Sequence, residues 1–134
     1  MTAPLLEARG LEKSFGANRV LRGIDVVVPA GSVTCLIGPS GSGKTTVLRS
    51  LNGLEQPEVG TVRVGDVAVD WATRPDARAV SRLRGQSGMV FQAHNLFPHM
   101  TVLDNVTSGP VFAQGRPRAE AQEEARELLA RVGL

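Results

Sequence analysis

The chain is 134 residues long, which suits one compact domain or part of a larger one. Its 42% hydrophobic and 21% charged residues are the composition of a globular protein and exclude a disordered chain. With 15 basic against 13 acidic residues the formal charge is +2, too balanced to argue for nucleic acid, and no such partner is expected.

In chain order, Met1–Glu7 lacks a basic region followed by an apolar core, so no secretory signal is expected. No stretch approaches the roughly 20 apolar residues that span a bilayer. These features predict a cytoplasmic chain that meets a membrane only through a partner. Residues 4–28 read as two β-segments around the turn Gly16-Ala17-Asn18-Arg19, ending at Pro29-Ala30-Gly31. Val33–Ile37 is a continuous apolar run, the pattern of a strand buried on both faces of a parallel sheet. It contains the single cysteine, Cys35, which excludes an intrachain disulfide and reads as a buried structural thiol in a reducing compartment.

Beyond a glycine-rich turn, Val47, Leu48, Leu51 and Leu54 recur at helical spacing, and Gly53 stops the helix. Thr61–Val64 and Val67–Val69 flank Gly65-Asp66, as in a type II′ hairpin that sets Val64 opposite Val67 and Val62 opposite Val69. Residues 75–84 predict a short helix from Pro75, with Arg74, Arg78, Arg82 and Arg84 on a solvated face. Gly88–Phe91 predicts a second buried strand, and 101–108 a short helix capped by Thr101. The last helix starts near Pro117, with Ala121, Ala125, Leu128, Leu129 and Val132 on one stripe and Glu127–Arg131 as an i,i+4 ion pair.

The chemistry centres on Gly38-Pro39-Ser40-Gly41-Ser42-Gly43-Lys44-Thr45, which fits the phosphate-loop pattern G-x-x-x-x-G-K-[ST] at every fixed position. A triphosphate is a dense anion and needs donors within hydrogen-bond reach. Glycines at 41 and 43 let backbone N–H groups turn inward without side chains in the way. The helix that follows adds the positive end of its dipole. Lys44 supplies a compact cation for the β- and γ-phosphates, and the Thr45 hydroxyl is an oxygen ligand suited to Mg²⁺. His94 and His99, five apart on a proline-containing loop, make a poor metal pair and read as surface or structural residues.

Position then separates the possible owners of such a loop. In small-molecule kinases the loop follows the first strand, whereas here residues 1–37, mostly of β character, precede it. That arrangement resembles the ABC ATPases. Leu11-Glu12-Lys13-Ser14-Phe15-Gly16 with Val20-Leu21 resembles the family's adenine-contact region, where an aromatic ring stacks on the base; Phe15 fills that position, with plain core packing as the alternative. Val90-Phe91-Gln92 followed by Asn95–Val102 resembles the family's Q-loop, in which the glutamine reaches the Mg²⁺ and the attacking water. Phe97-Pro98-His99-Met100-Thr101, Asp104-Asn105-Val106, Gly109-Pro110 and the closing Arg131-Val132-Gly133-Leu134 look most like ATPases of polar amino acid importers.

The resemblance implies an α/β P-loop fold of the ABC type: an antiparallel β-subdomain, a partial parallel-sheet core and the start of a helical subdomain. Residues 1–134 would form the N-terminal part of a single ABC ATPase domain, since the signature motif, the Walker B carboxylates and the switch histidine do not occur in them. It further implies ATP and Mg²⁺ as cofactors. Phe15 would hold adenine, and Gly38, Pro39, Ser40, Gly41, Ser42, Gly43, Lys44, Thr45 and Thr46 the phosphates. Thr45 and Gln92 would hold the metal, with Lys44 and Gln92 in catalytic roles. Implied partners are transmembrane permease subunits, through which the chain would sit on the inner face of the cell membrane, a second ATPase subunit and, indirectly, a substrate-binding protein. The implied activity is ATP hydrolysis driving polar amino acid import. An ABC ATPase for export, lipoprotein release or cell division, a non-catalytic ATP-binding module and a P-loop kinase stay open as alternatives.

Overall fold

A computed structural model describes residues 4–134, which divide into one unit running to Val90 and a second, Phe91–Leu134. In the first unit, strands β1 (Leu6–Phe15) and β2 (Asn18–Val28) form an antiparallel hairpin around Gly16, whose φ of 60° favours glycine at the turn. Strands β3 (Val59–Val64) and β4 (Val67–Asp70) add to it, giving a four-stranded antiparallel sheet in the order β2-β1-β3-β4. The predicted β3–β4 register is the observed one, with Val62 opposite Val69 and Val64 opposite Val67. Gly65 takes φ 55° while Asp66 keeps a negative φ, the asymmetry of a type II′ turn.

A bulge shapes β1. Ala8 and Leu11, three apart, are both fully buried, so the period of two slips by one residue between them. Gly10 absorbs the slip at φ 59°, its N–H donating to Asp25 Oδ1 at 2.7 Å. Opposite lies Gly60 at φ 101°, where a Cβ would stand 2.6 Å from the Gly10 carbonyl oxygen.

The core lies on one face of this sheet. Ala8, Leu11, Leu21, Val62, Val64 and Val69 meet Val47 and Leu51 of helix α1 (Lys44–Leu51), Trp71, and Val80 and Leu83 of helix α2 (Ala77–Arg84). Each fully buried Leu or Val among them contributes about 1.5–3 kcal/mol. Leu48 and Leu54, predicted to share the buried stripe of α1, are largely exposed. Helix α2 starts at Ala77 rather than Pro75, because the Asp76 side chain accepts from Ala79 N–H at 2.7 Å and caps it.

Two predicted strands are not formed. Val33–Ile37 and Gly88–Phe91 lie outside any ladder; Val33, Ile37 and Val90 are 91%, 93% and 98% exposed. Cys35 is exposed with them rather than buried. An apolar run signals two-sided burial only where neighbouring strands pair with it and layers cover it. Among the described residues the sheet consists of β1–β4, and no parallel partner stands beside these runs.

The second unit is helical: α3 (Val102–Ser108), a π-type turn at Gly109–Ala113, and α4 (Arg118–Arg131). Thr101 caps α3 as predicted, accepting from Asp104 N–H at 3.1 Å and donating to Asp104 Oδ2 at 2.7 Å. Asn105 ties down the preceding turn: its Nδ2 donates to the carbonyls of Phe97, Met100 and Thr101, and its Oδ1 accepts from Phe97 N–H. On α4, Ala121 and Ala125 are buried, but Leu128 and Val132 of the same predicted stripe are exposed. The ion pairs there are Arg116 with Glu120 and Glu124, and Arg118 with Asp104, rather than Glu127 with Arg131.

Candidate nucleotide-binding site

The phosphate-loop sequence folds into a turn that feeds directly into α1. Gly41 at φ 80° and Gly43 at φ 90° occupy the left-handed region, where other residues are strained. Gly43 also sits close against β2: a Cβ there would lie 3.1 Å from Val20 Cγ1 and 3.4 Å from Leu21 Cδ2. The small residue therefore lets the loop seat on the sheet, a contact the eight-residue pattern gives no hint of.

Helix α1 begins at Lys44, and its first helical bond runs from Val47 N–H to the Gly43 carbonyl at 2.9 Å. The N–H groups before Val47 thus have no helical partner. No side chain caps this end, and the first turn carries no acidic residue. Such an end, with its partial positive charge, suits an anion. Lys44 Nζ folds back over the loop, donating to the carbonyls of Gly38 at 2.8 Å and Pro39 at 2.7 Å, with Ser42 Oγ at 3.4 Å. Ser40, Ser42 and Thr45 are exposed and Thr46 half-buried, so the hydroxyls lie along the open rim of the turn. This donor set, a lysine ammonium, unpartnered N–H groups and exposed hydroxyls, fits a nucleotide triphosphate with its magnesium ion.

Phe15 stands at the tip of the β1–β2 hairpin in the same unit, 49% exposed. It is absent from the buried core, which goes against plain core packing. Lys13 Nζ lies over its ring, 5.2 Å from the centroid. This lysine carried no signal in the sequence, since its partners Glu55 and Gln56 are some forty residues away.

Gln92 belongs to the second unit and is exposed; the segment before it is not the buried strand the sequence predicted. His99 packs edge-on to Phe97, with ring centroids 6.0 Å apart. Among the described residues, no helix is long and apolar enough to cross a membrane.

Comparison with known proteins places the chain among ATP-binding proteins of transporters in sequence and fold. The chain is 53% identical over 131 residues to the L-cystine transport system ATP-binding protein TcyN of Escherichia coli, covering 96% of this chain and 52% of that protein. It is 48% identical to the L-cystine import ATP-binding protein TcyC of Bacillus subtilis, covering 97% of this chain and 53% of that one. To the glutamine transport ATP-binding protein GlnQ of Escherichia coli it is 45% identical, covering 97% and 52%. The chain thus spans about half the length of the curated relatives it matches. Its structure is similar to cbiO1 from Clostridium perfringens, part of the ABC transporter complex cbiONQ, with TM-score 0.76 and 26% identity over 99% of this chain and 52% of that one. It is also similar to the dimeric bacterial ABC transporter cassette MJ0796, with TM-score 0.79 and 26% identity over 93% of this chain and 56% of that one. The ABC transporter family profile matches residues 21–134, from the second strand through the phosphate loop to the last helix, and the chain belongs to that family.

Proposed function

We propose that this chain binds Mg-ATP at Gly38–Thr46 and is the N-terminal part of an ABC ATPase domain whose hydrolysis powers import of a polar amino acid. The observation that carries the reading is the turn itself: left-handed Gly41 and Gly43 opening an uncapped helix, with Lys44 folded over the loop. An ammonium that now serves the Gly38 and Pro39 carbonyls is the donor that β- and γ-phosphate oxygens would engage. Gly38, Pro39, Ser40, Gly41, Ser42, Gly43 and Thr46 complete the cradle, and Phe15 takes the adenine ring. The Thr45 hydroxyl would be an oxygen ligand for Mg²⁺, which when bound offsets the phosphate charge, and a catalytic role for Gln92 rests on the resemblance of its segment to the Q-loop.

The transport role rests on relatives named for cystine and glutamine transport. In that role the protein works on the cytoplasmic face of the membrane, against permease subunits and a second ATPase subunit, with a substrate-binding protein acting through the permease. Lys44→Ala removes a charge-assisted donor worth about 1.5–3 kcal/mol per hydrogen bond, so calorimetry should show ATP affinity falling at least tenfold. Equal affinities in the two proteins would refute the phosphate cradle.

A further inference from the structure

We propose that Lys13, anchored by Glu55 and Gln56, is a positioning residue that presets the Phe15 ring for stacking on a purine base; this rests on the reading of Phe15 as the base contact. Lys13 and Phe15 stand two apart on β1, hence on one side of the strand. Lysine is ordinarily a flexible, strongly hydrated point charge. Here it is held from three directions. Its Nζ reaches Glu55 Oε1 at 2.6 Å, donates to the Gln56 carbonyl at 2.8 Å, and lies 5.2 Å from the centre of the Phe15 ring. With side chains 17% and 24% exposed, Lys13–Glu55 is the most shielded ion pair among the described residues. The ring it faces is half open to solvent at a hairpin tip, where an unheld phenyl would sample several rotamers.

The anchor reaches further. Glu55 N–H donates to the Arg49 carbonyl at 3.0 Å, so the residue that fixes Lys13 hangs from α1, the helix that opens at the phosphate loop. Glu58 fixes the strand beside the ring: its carboxylate accepts from Ser14 N–H at 3.0 Å, and its own N–H donates to the Glu12 carbonyl at 2.8 Å. The segment from Glu55 to Glu58 thereby braces the hairpin tip against the helix of the phosphate loop. A ring held before the base arrives loses less freedom on binding, and that saving goes to the base-dependent part of the affinity alone.

The test is a double-mutant cycle in the protein with Lys13→Met, Phe15→Ala and both, measuring affinity for Mg-ATP and for inorganic tripolyphosphate. Lys13→Met should weaken ATP about two- to five-fold, the size of an exposed cation–π contact, and leave tripolyphosphate unchanged. It should have no further effect once Phe15 is alanine, and Lys13→Arg should restore the affinity. Equal loss for both ligands, or additive losses in the cycle, would reduce Lys13 to a fold contact and overturn the proposal. If Phe15→Ala itself leaves ATP binding unchanged, the base-stacking reading fails. If Phe15→Ala weakens ATP and Lys13→Met does not, the positioning role alone fails. Should Lys13→Met not fold, Glu55→Gln carries the test, with the same ATP-selective loss supporting the role and its absence refuting it.

Discussion

Gly43 joins the phosphate loop to the sheet by two constraints that act on one atom. Its φ of 90° is strained for any side chain, and a Cβ would press to 3.1 Å from Val20 Cγ1. The backbone conformation alone costs a non-glycine residue about 1–3 kcal/mol. Gly43→Ala should therefore lower stability by at least that amount in chemical denaturation, and lower ATP affinity as the loop lifts from β2. Gly41, equally left-handed at φ 80°, has nothing within 4 Å of its Cβ position. Gly41→Ala should accordingly pay the conformational cost alone and be the milder of the two.

Among the elements, β1 is set by its bulge and α3 by its cap. Gly60→Ala places a Cβ 2.6 Å from the Gly10 carbonyl oxygen at φ 101°, and backbone cannot give way as a side-chain end can. The β1–β3 pairing should open locally, at a cost above about 1–3 kcal/mol, visible as faster amide exchange at Arg9 and Thr61. At α3, Thr101 first, and then the Arg118 guanidinium, hold the Asp104 carboxyl below its ordinary value. A group depressed in the folded state stabilises fully above its unfolded pKa and loses that contribution as pH falls through the folded one. Acid titration of helicity should thus show α3 loosening on the acid side of the normal carboxylate range. Asp104→Asn should flatten that limb by lowering the neutral-pH stability of α3 towards the acid-side level, with little change at the acid end.

For the molecule as a whole, the largest consequence lies in what the 134 residues contain. They hold the phosphate-loop pattern Gly38–Thr45 and the base-contact candidate Phe15 but no Walker B carboxylate or signature motif. Phosphoryl transfer depends chiefly on positioning and charge stabilisation, so lacking those parts should cost many orders of magnitude in rate. The 134-residue chain should bind ATP yet show no phosphate release above background. Robust turnover abolished by Lys44→Ala would overturn this. The exposed apolar runs at Val33–Ile37 and around Val90 should also drive association, measurable as concentration-dependent light scattering.

Much that depends on local pattern was legible in the sequence, although the Asp76 cap of α2, which is also local, was missed. The β3–β4 register followed from Gly65-Asp66 between alternating valines, the start of α1 from Gly43-Lys44, and the α3 cap from Thr101, because each is fixed by neighbours within a few residues. The glycine turn before α1 was legible for the same reason, since the left-handed Gly41 and Gly43 belong to one run of consecutive residues. Tertiary structure alone decided the rest. Whether Val33–Ile37 and Gly88–Phe91 become strands depends on ladder partners, which an apolar run cannot supply to itself. The slip between Ala8 and Leu11, the seat of Gly43 on Val20, and the hold of Glu55 and Gln56 on Lys13 all join segments distant in the chain. No local propensity encodes such contacts, because the energy that selects them exists only once both segments are in place.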